Sequence, residues 1–199
     1  MHHPILILAS QSAGRAALLK AAGYHFRQVP SRVEEPAAAP GTCLEDHVLE
    51  LAVLKAKAVA AQYPRAIVIG ADTALAFGPR IIGKPATLAE ARRMLRKLGG
   101  HRHRIASAAC VVLPADGTGS RARLIKLVGT AHVQLRKWTP ERLRQHVTLT
   151  RPLAWAGAYA VQDPYSAAVV ERIEGDLAVV IGLPLDALDR ALKRHGIRA

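Results

Sequence analysis

Apolar residues in this chain alternate between short continuous runs and runs with helical spacing. Two aliphatic runs, residues 5–9 and 66–69, have the length and β-branched content of buried strands. Apolar residues three and four positions apart predict helices instead, which we place at residues 15–22, from 42 to about 61, from 87 to about 98, from 139 onward and at 184–195. This mixture predicts an α/β fold in one domain over residues 1–199.

The middle of this pattern, residues 66–85, joins a buried strand to charged residues at both ends of a hairpin. The strand that begins at Ala66 is expected to end at Ile69, and Asp72 follows it directly. Two further apolar segments flank the turn dipeptide Gly78-Pro79, so the chain should fold back and bring Lys84 towards Asp72. The sequence therefore predicts an acid and a cation in one cleft.

Alternating and β-branched residues predict the remaining strands. They fall at residues 26–29, 103–113, 123–135, 158–161 and 167–173, with turns at 116–119 and 175–176. Residues 30–40 contain several prolines, which exclude a helix, and they carry the acidic pair Glu34-Glu35.

A hydroxyl-rich turn joins the first strand to the first helix and contains Ser10, Ser12 and Arg15. The first amides of a helix have no intrahelical partner and the dipole is positive there, so this turn could hold a phosphate. Ser12 could instead simply cap the helix, and the local pattern favours capping because no glycine-rich fingerprint accompanies it. Lys55, in the middle of the second helix, is by itself expected to be solvent-exposed.

Composition and charge indicate which classes of molecule this protein binds. The formal net charge is +13, which favours polyanions, but aromatic residues make up only 4% of the chain and the basic residues are scattered, so nucleic acid is the less favoured partner. No apolar run approaches the roughly 18 residues of a membrane helix, and we expect a cytoplasmic protein. Cys43 and Cys110 have no ligand spacing and are interpreted as ordinary thiols.

Several segments stand in a fixed order along the chain: LILASQSAGRAALL, VEE, LAVLKAKA, VIGADT, IIGKP, WAGAYAVQ and IEGDLAVVIGLPL. Taken together, they resemble the Maf family of nucleotide pyrophosphatases over almost the whole chain. The resemblance implies an elongated Maf/ITPase-like fold, with a central mixed β-sheet, helices around it and a cleft between two lobes. It also implies hydrolysis of a nucleoside triphosphate to monophosphate and diphosphate with Mg²⁺ or Mn²⁺, and association into a homodimer.

The resemblance assigns roles to individual residues. Asp72 matches the proton acceptor that activates water, or a metal ligand beside that water, and Glu35 matches a second acid on the metal side. Carboxylates suit a hard divalent cation, which supplies the charge that this reaction needs. The residues that match the phosphate contacts of the family are Ser10, Ser12, Arg15, Lys55 and Lys84.

Substrate choice in the family depends on further positions. Thr73 and Gln162 fit the branch that acts on dTTP and UTP, whereas Gly14 replaces a large side chain and should leave an opening. Residues 151–157 read RPLAWAG where that branch commonly has Glu-Pro-Leu-Asp-Lys-Ala-Gly. We expect activity on dTTP and UTP, with modified pyrimidine nucleotides as further candidates. The alternatives are a 7-methyl-GTP pyrophosphatase and a catalytically weak homologue that binds nucleotides or nucleic acid.

Overall fold

The computed structural model describes residues 4–115 and 122–199. Its strands are β1 (Leu6–Ala9), β2 (Arg27–Gln28), β3 (Ile67–Phe77), β4 (Arg80–Ile82), β5 (Arg102–Leu113), β6 (Arg123–Leu135) and β7 (Val170–Gly175). Its α-helices are α1 (Ala13–Ala21), α2 (Leu44–Gln62), α3 (Leu88–Leu98), α4 (Pro140–Leu149), α5 (Pro164–Ala167), α6 (Leu177–Ile181) and α7 (Leu185–Arg194). Within these described ranges, no helix is long and apolar enough to cross a bilayer.

The strands form one mixed sheet in the order β2-β1-β3-β5-β6-β7, and β4 pairs with β3. β1 lies parallel to β2 and β3, whereas every other pair is antiparallel. Helix α2 packs against one face of β3 and β5, and α1 and α7 pack against the opposite face. The α/β class and the central mixed sheet predicted from the sequence are confirmed.

One edge of β3 is left uncovered in its middle. β1 pairs with β3 only as far as Gly70, and β4 begins to pair with it only at Leu75. Residues 71–74 lie between these two partners and pair with β5 alone among the described strands. Because side chains alternate along a strand, Asp72 and Thr73 sit at this gap on opposite faces of the sheet.

Gly70 allows α2 to lie unusually close to β3. A Cβ atom on Gly70 would come within 2.5 Å of the Ala56 nitrogen and 2.7 Å of its Cβ, and closer still to the Ala52 carbonyl oxygen. Side chains are not tolerated at such distances from helix backbone. The close approach brings the middle of α2, with Lys55, over the gap in the edge of β3.

Most local predictions are confirmed. Gly78-Pro79 connects β3 to β4, with Phe77 opposite Arg80. Thr87 caps α3 by accepting from the Glu90 amide at 3.1 Å, and Thr139 caps α4. The turn expected at 116–119 lies outside the described residues.

The predicted end of β3 and the predicted start of α2 were wrong. β3 does not end at Ile69 but continues to Phe77, because β5 pairs with it as far as Ala76. Thr42 and Glu45 do not form the expected capping box: α2 begins after Cys43, and the Thr42 hydroxyl donates to the Ala39 carbonyl at 2.8 Å.

Residues 156–170 also differ from the prediction. No strand forms at 158–161, because Gly157 and Ala158 both have a φ of 67° and two short 3₁₀ segments, Pro152–Ala154 and Ala156–Ala158, take up this region. The next strand begins at Val170 rather than 167, since α5, capped by Asp163, precedes it. Helix α6 was not predicted.

Two buried histidines make stability depend on pH. His103 Nε2 lies 2.7 Å from the Tyr159 hydroxyl, and burial lowers the pKa of His103 from 6.5 to about 4. Burial also lowers the pKa of His146, whose Nε2 donates to the Ala158 carbonyl at 2.9 Å. Between pH 6.5 and 4 the unfolded chain therefore binds protons that the folded protein excludes.

We expect the free energy of unfolding to fall by about 3 kcal/mol through His103 as the pH is lowered from 7 to 4. Urea denaturation at a series of pH values measures this. His103→Phe should reduce the pH dependence by about this amount, because it removes one of the two titrating histidines and leaves His146. Tyr159→Phe, which removes the hydrogen bond and keeps the imidazole, should retain the dependence. An equal slope in wild type and His103→Phe would contradict the assignment.

Candidate active site

A cleft of about 960 Å³ opens beside the uncovered edge of β3. Every predicted substrate-binding residue and Glu35 line it: Ser10, Ser12, Gly14, Arg15, Glu35, Lys55, Thr73, Lys84 and Gln162. Asp72 is 7% exposed and contacts Lys55 at the same place. Segments from both halves of the sequence thus meet at one gap in the sheet.

Lys55 joins the two predicted acids. Its Nζ lies 2.6 Å from Asp72 Oδ1 and 2.8 Å from Glu35 Oε1. The expectation that a mid-helix lysine is solvent-exposed was wrong here, because α2 packs over Gly70 and directs Lys55 inward to 7% exposure. Asp72 is equally buried, whereas the Glu35 side chain is 49% exposed. Both carboxylates therefore contact Lys55 Nζ, Asp72 from the buried side and Glu35 from the side that is open to solvent.

The arrangement of these carboxylates fits a divalent cation that arrives with phosphate ligands. In the part of the chain that the structure describes, no group of three or more His, Cys, Asp or Glu side chains is assembled for a metal. Mg²⁺ typically uses one or two carboxylates and completes its coordination with water and substrate phosphates. Asp72 and Glu35 provide that kind of donor set.

Arg15 is fixed by acceptors from three separate segments. Its Nε donates to the Gly182 carbonyl at 3.0 Å, Nη1 donates to Ser10 Oγ at 3.0 Å, and Nη2 donates to Thr73 Oγ1 at 2.9 Å. A guanidinium has five N–H groups, so these contacts leave two for another acceptor. The side chain is thus held in one plane with donors to spare for an anion.

The charge of Arg15 is balanced by the neighbouring acids. Burial lowers the pKa of Arg15, and the carboxylates of Asp72 and Glu35 oppose that effect. An arginine in this setting stays protonated. The cleft therefore contains a permanent cation on the Thr73 face of the sheet, together with the Lys55–Asp72–Glu35 group.

The serine turn before α1 caps the helix and keeps one free hydroxyl donor. Ser12 caps the helix, because its Oγ accepts from the Arg15 amide at 3.4 Å. Ser10 Oγ accepts from the Ser12 amide at 3.2 Å and from Arg15, so the hydroxyl hydrogen of Ser10 is left to donate elsewhere. Capping is confirmed, and the phosphate-holding role of the turn stays a prediction.

Gly14 does not leave the expected opening. A Cβ atom at Gly14 would lie 3.1 Å from Ile181 Cγ2 and 3.2 Å from Gln162 Nε2, so these two side chains already occupy that space. The prediction of a gap was wrong because Gln162 and Ile181 fill this space. Both are distant from Gly14 in sequence, so the local pattern could not show the contact. The carboxamide of Gln162 thereby becomes part of the wall beside the first turn of α1.

Lys84 is placed by a contact between β4 and residues 152–158. The Gly157 amide donates to the Gly83 carbonyl at 3.0 Å, immediately before Lys84. This contact also carries Arg151 and Trp155 to the wall of the cleft. A cation and an indole therefore line the cleft in the segment that departs from the common pattern of the dTTP/UTP branch, which has two acids and a lysine there.

Ser107 and Gly182 belong to this site and were not predicted. Ser107 lies on β5 opposite Thr73, fully buried, and its hydroxyl is 2.8 Å from Thr73 Oγ1. The one available signal was a serine in the otherwise apolar run 105–113. Gly182 contributes only its backbone carbonyl, which every residue has, so the side-chain pattern contains no signal for it.

Comparison with known proteins agrees with this architecture. The profile of the Maf-like protein family matches residues 5–195. A dTTP/UTP pyrophosphatase of Dictyoglomus thermophilum is 37% identical over 96% of this chain and 96% of its own length. A dTTP/UTP pyrophosphatase of Oleidesulfovibrio alaskensis is 35% identical over 96% of this chain and 85% of its own length.

The fold is also shared with solved structures. A HAM1 protein from Coxiella burnetii superimposes with a TM-score of 0.50 at 16% identity, over 96% of this chain and 100% of that one. The mixed sheet and the helices around it thus have the same α/β fold as that protein. Within that fold class, the chain belongs to the Maf-like family.

Proposed function

We propose that this protein hydrolyses dTTP and UTP to the nucleoside monophosphate and diphosphate. The observation that carries the proposal is the convergence of Asp72, Glu35 and Lys55 beside Arg15 at the uncovered edge of β3. In this arrangement, carboxylates that can activate a water molecule lie next to cations that can bind phosphates. Relatives that match almost the whole chain carry the name dTTP/UTP pyrophosphatase.

Asp72 is the group best placed to take a proton from the attacking water. A general base must accept a proton at a fixed position, and the 2.6 Å contact with Lys55 fixes the Asp72 carboxylate. Attack on the α-phosphorus breaks its bond to the bridging oxygen, and the diphosphate leaves with the electron pair. Arg15, Ser10 and Lys84 line the cleft where they can donate to the phosphate oxygens as this charge grows.

Asp72 and Glu35 would hold the divalent metal ion, which we propose to be Mg²⁺ or Mn²⁺. When bound, such an ion supplies positive charge against the phosphates and the leaving diphosphate. Lys55 touches both carboxylates, so it sets their orientation and limits their mutual repulsion. The homodimer and the cytoplasmic location stay predictions.

A nucleotide panel tests the choice of base. With magnesium or manganese present, we expect dTTP and UTP to be hydrolysed with kcat/KM at least about tenfold above that for 7-methyl-GTP, a difference of ~1.4 kcal/mol in barrier. Release of diphosphate measures each rate. A clear preference for 7-methyl-GTP would contradict the role given to Thr73 and Gln162.

A catalytically weak homologue that binds nucleotides or nucleic acid is the second candidate, favoured by the net charge of +13 and by Arg151 and Trp155 at the cleft wall. Its binding to nucleic acid would fall steeply with salt. Tight binding of single-stranded or duplex DNA at near-physiological salt, with no turnover of any triphosphate, would establish it over the pyrophosphatase.

A further inference from the structure

Ser107 does not line the cleft, but it contacts Thr73, which does. It is fully buried on β5 and directly opposite Thr73 on β3. Directly opposed residues of an antiparallel pair project from the same face, and here the two hydroxyl oxygens are 2.8 Å apart. Thr73 lines the cleft, whereas Ser107 lies behind it.

The contacts around these two hydroxyls fix which oxygen donates and which accepts. Ser107 donates its hydrogen to the Val179 carbonyl at 2.7 Å, so its oxygen can only accept from Thr73. Thr73 then donates to Ser107, and its own oxygen accepts from Arg15 Nη2 at 2.9 Å. The Gly182 carbonyl, at 3.3 Å from Thr73 Oγ1, is the more distant alternative acceptor.

The same relay fixes the end of α6. The last carbonyls of a helix have no intrahelical donor, and those of Val179 and Gly182 are here taken up by Ser107 and by Arg15. Arg15 and Ser107 thus hold one backbone segment from two points, with Thr73 between them. Loss of the Ser107 hydroxyl would leave the Val179 carbonyl unsatisfied and would free the Thr73 hydroxyl to rotate.

We propose that Ser107 is a positioning residue for substrate: it orients the Thr73 hydroxyl, which in turn holds the Arg15 guanidinium in the plane that receives the nucleotide. This inference rests on the proposed function, since it takes dTTP as the ligand. Its effect is transmitted through Thr73. Ser107 should therefore have little further influence on substrate once the Thr73 hydroxyl is gone, whereas an influence through the Val179 carbonyl and the end of α6 would persist.

A double-mutant cycle of Ser107→Ala and Thr73→Val tests this. Binding of dTTP is measured by calorimetry with EDTA present, and hydrolysis is measured separately with Mg²⁺. We expect Ser107→Ala to raise both the Kd and the KM for dTTP about tenfold and to change kcat less, which is the size expected for a buried hydrogen bond. The double variant should match Thr73→Val alone within about twofold.

Ser166→Ala is the matched control. Ser166 is also fully buried, and its hydroxyl has no hydrogen-bond partner in the residues described, so the same atomic change should leave Kd and KM unaltered. Ser107→Cys, which replaces the hydroxyl by a larger and weaker donor, runs through the same cycle if Ser107→Ala does not fold. Thermal denaturation checks that each variant is more than half folded at the assay temperature, where a reversible unfolding equilibrium alone would raise KM and Kd by less than about twofold.

Two outcomes would overturn the proposal: an unchanged Kd and KM in Ser107→Ala, or effects of Ser107→Ala and Thr73→Val that multiply in the double variant. Failure of the proposed function has a different signature. In that case wild type would release no diphosphate from dTTP, while the binding cycle in EDTA would still report whether Ser107 acts through Thr73.

Discussion

Replacing Asp72 with asparagine is expected to lower kcat for dTTP hydrolysis about a thousandfold, within the range of 10²–10⁴ typical of a lost general base. Asparagine keeps the shape of the side chain, and its carbonyl oxygen can still accept from Lys55, so the cleft should stay assembled. It cannot take up the proton of the attacking water. At saturating Mg²⁺, KM for dTTP should change less than kcat, because the proposed phosphate contacts of Arg15, Ser10 and Lys84 and the proposed metal ligand Glu35 are kept.

The control for this variant is Asp186→Asn, an exposed acid in the first turn of α7. It removes the same charge from the surface and should retain wild-type kcat. Thermal denaturation of both variants shows whether the fold is intact. If Asp72→Asn kept more than about a tenth of the wild-type kcat, Asp72 would not be the proton acceptor.

Gly70→Ala is expected to destabilise the protein by about 3 kcal/mol or more, at or above the upper end for overpacking of a core. The added Cβ would meet backbone atoms of α2 at Ala52 and Ala56, which cannot move aside as a side-chain tip can. For a chain of this length that corresponds to a fall of about 6–12 °C in Tm. Where the variant still folds, α2 should move outward and take Lys55 away from Asp72.

Gly83→Ala gives the matched comparison for stability. A Cβ at Gly83 meets nothing within 4 Å, and this glycine has no positive φ, so its Tm should stay close to wild type. Differential scanning calorimetry of the two variants measures the contrast. A Gly70→Ala protein as stable as Gly83→Ala would contradict the view that a glycine is required for the contact between α2 and β3.

Local features of the fold were predictable because their causes are local. The Gly78-Pro79 turn and the caps at Thr87 and Thr139 depend on neighbouring residues, and all three form as expected. The capping box at Thr42 failed for the same kind of reason, since the nearby Ala39 carbonyl offered the hydroxyl an alternative acceptor. Residues near in sequence decided each of these outcomes.

The arrangement of the cleft depended on distant contacts. Periodicity could not show that Lys55 faces inward, because that follows from the approach of α2 to Gly70. It could not place Asp72 inside a strand, since the pairing of β3 with β5 sets that length. The hairpin pattern predicted that Asp72 and Lys84 share a cleft, and the local pattern offered the serine turn as a possible phosphate site. The other cleft residues came from resemblance to the Maf family, and the individual roles stay predictions.

The most direct measurement is hydrolysis of dTTP in ¹⁸O-labelled water with mass analysis of the products. If water, activated by Asp72, attacks the α-phosphorus, the heavy oxygen will appear in dTMP and the diphosphate will be unlabelled. Label in the diphosphate, or formation of dTDP and orthophosphate, would mean that attack occurs at another phosphorus. Label in the diphosphate would contradict attack at the α-phosphorus, and formation of dTDP would contradict the account of this cleft as a nucleoside triphosphate pyrophosphatase site.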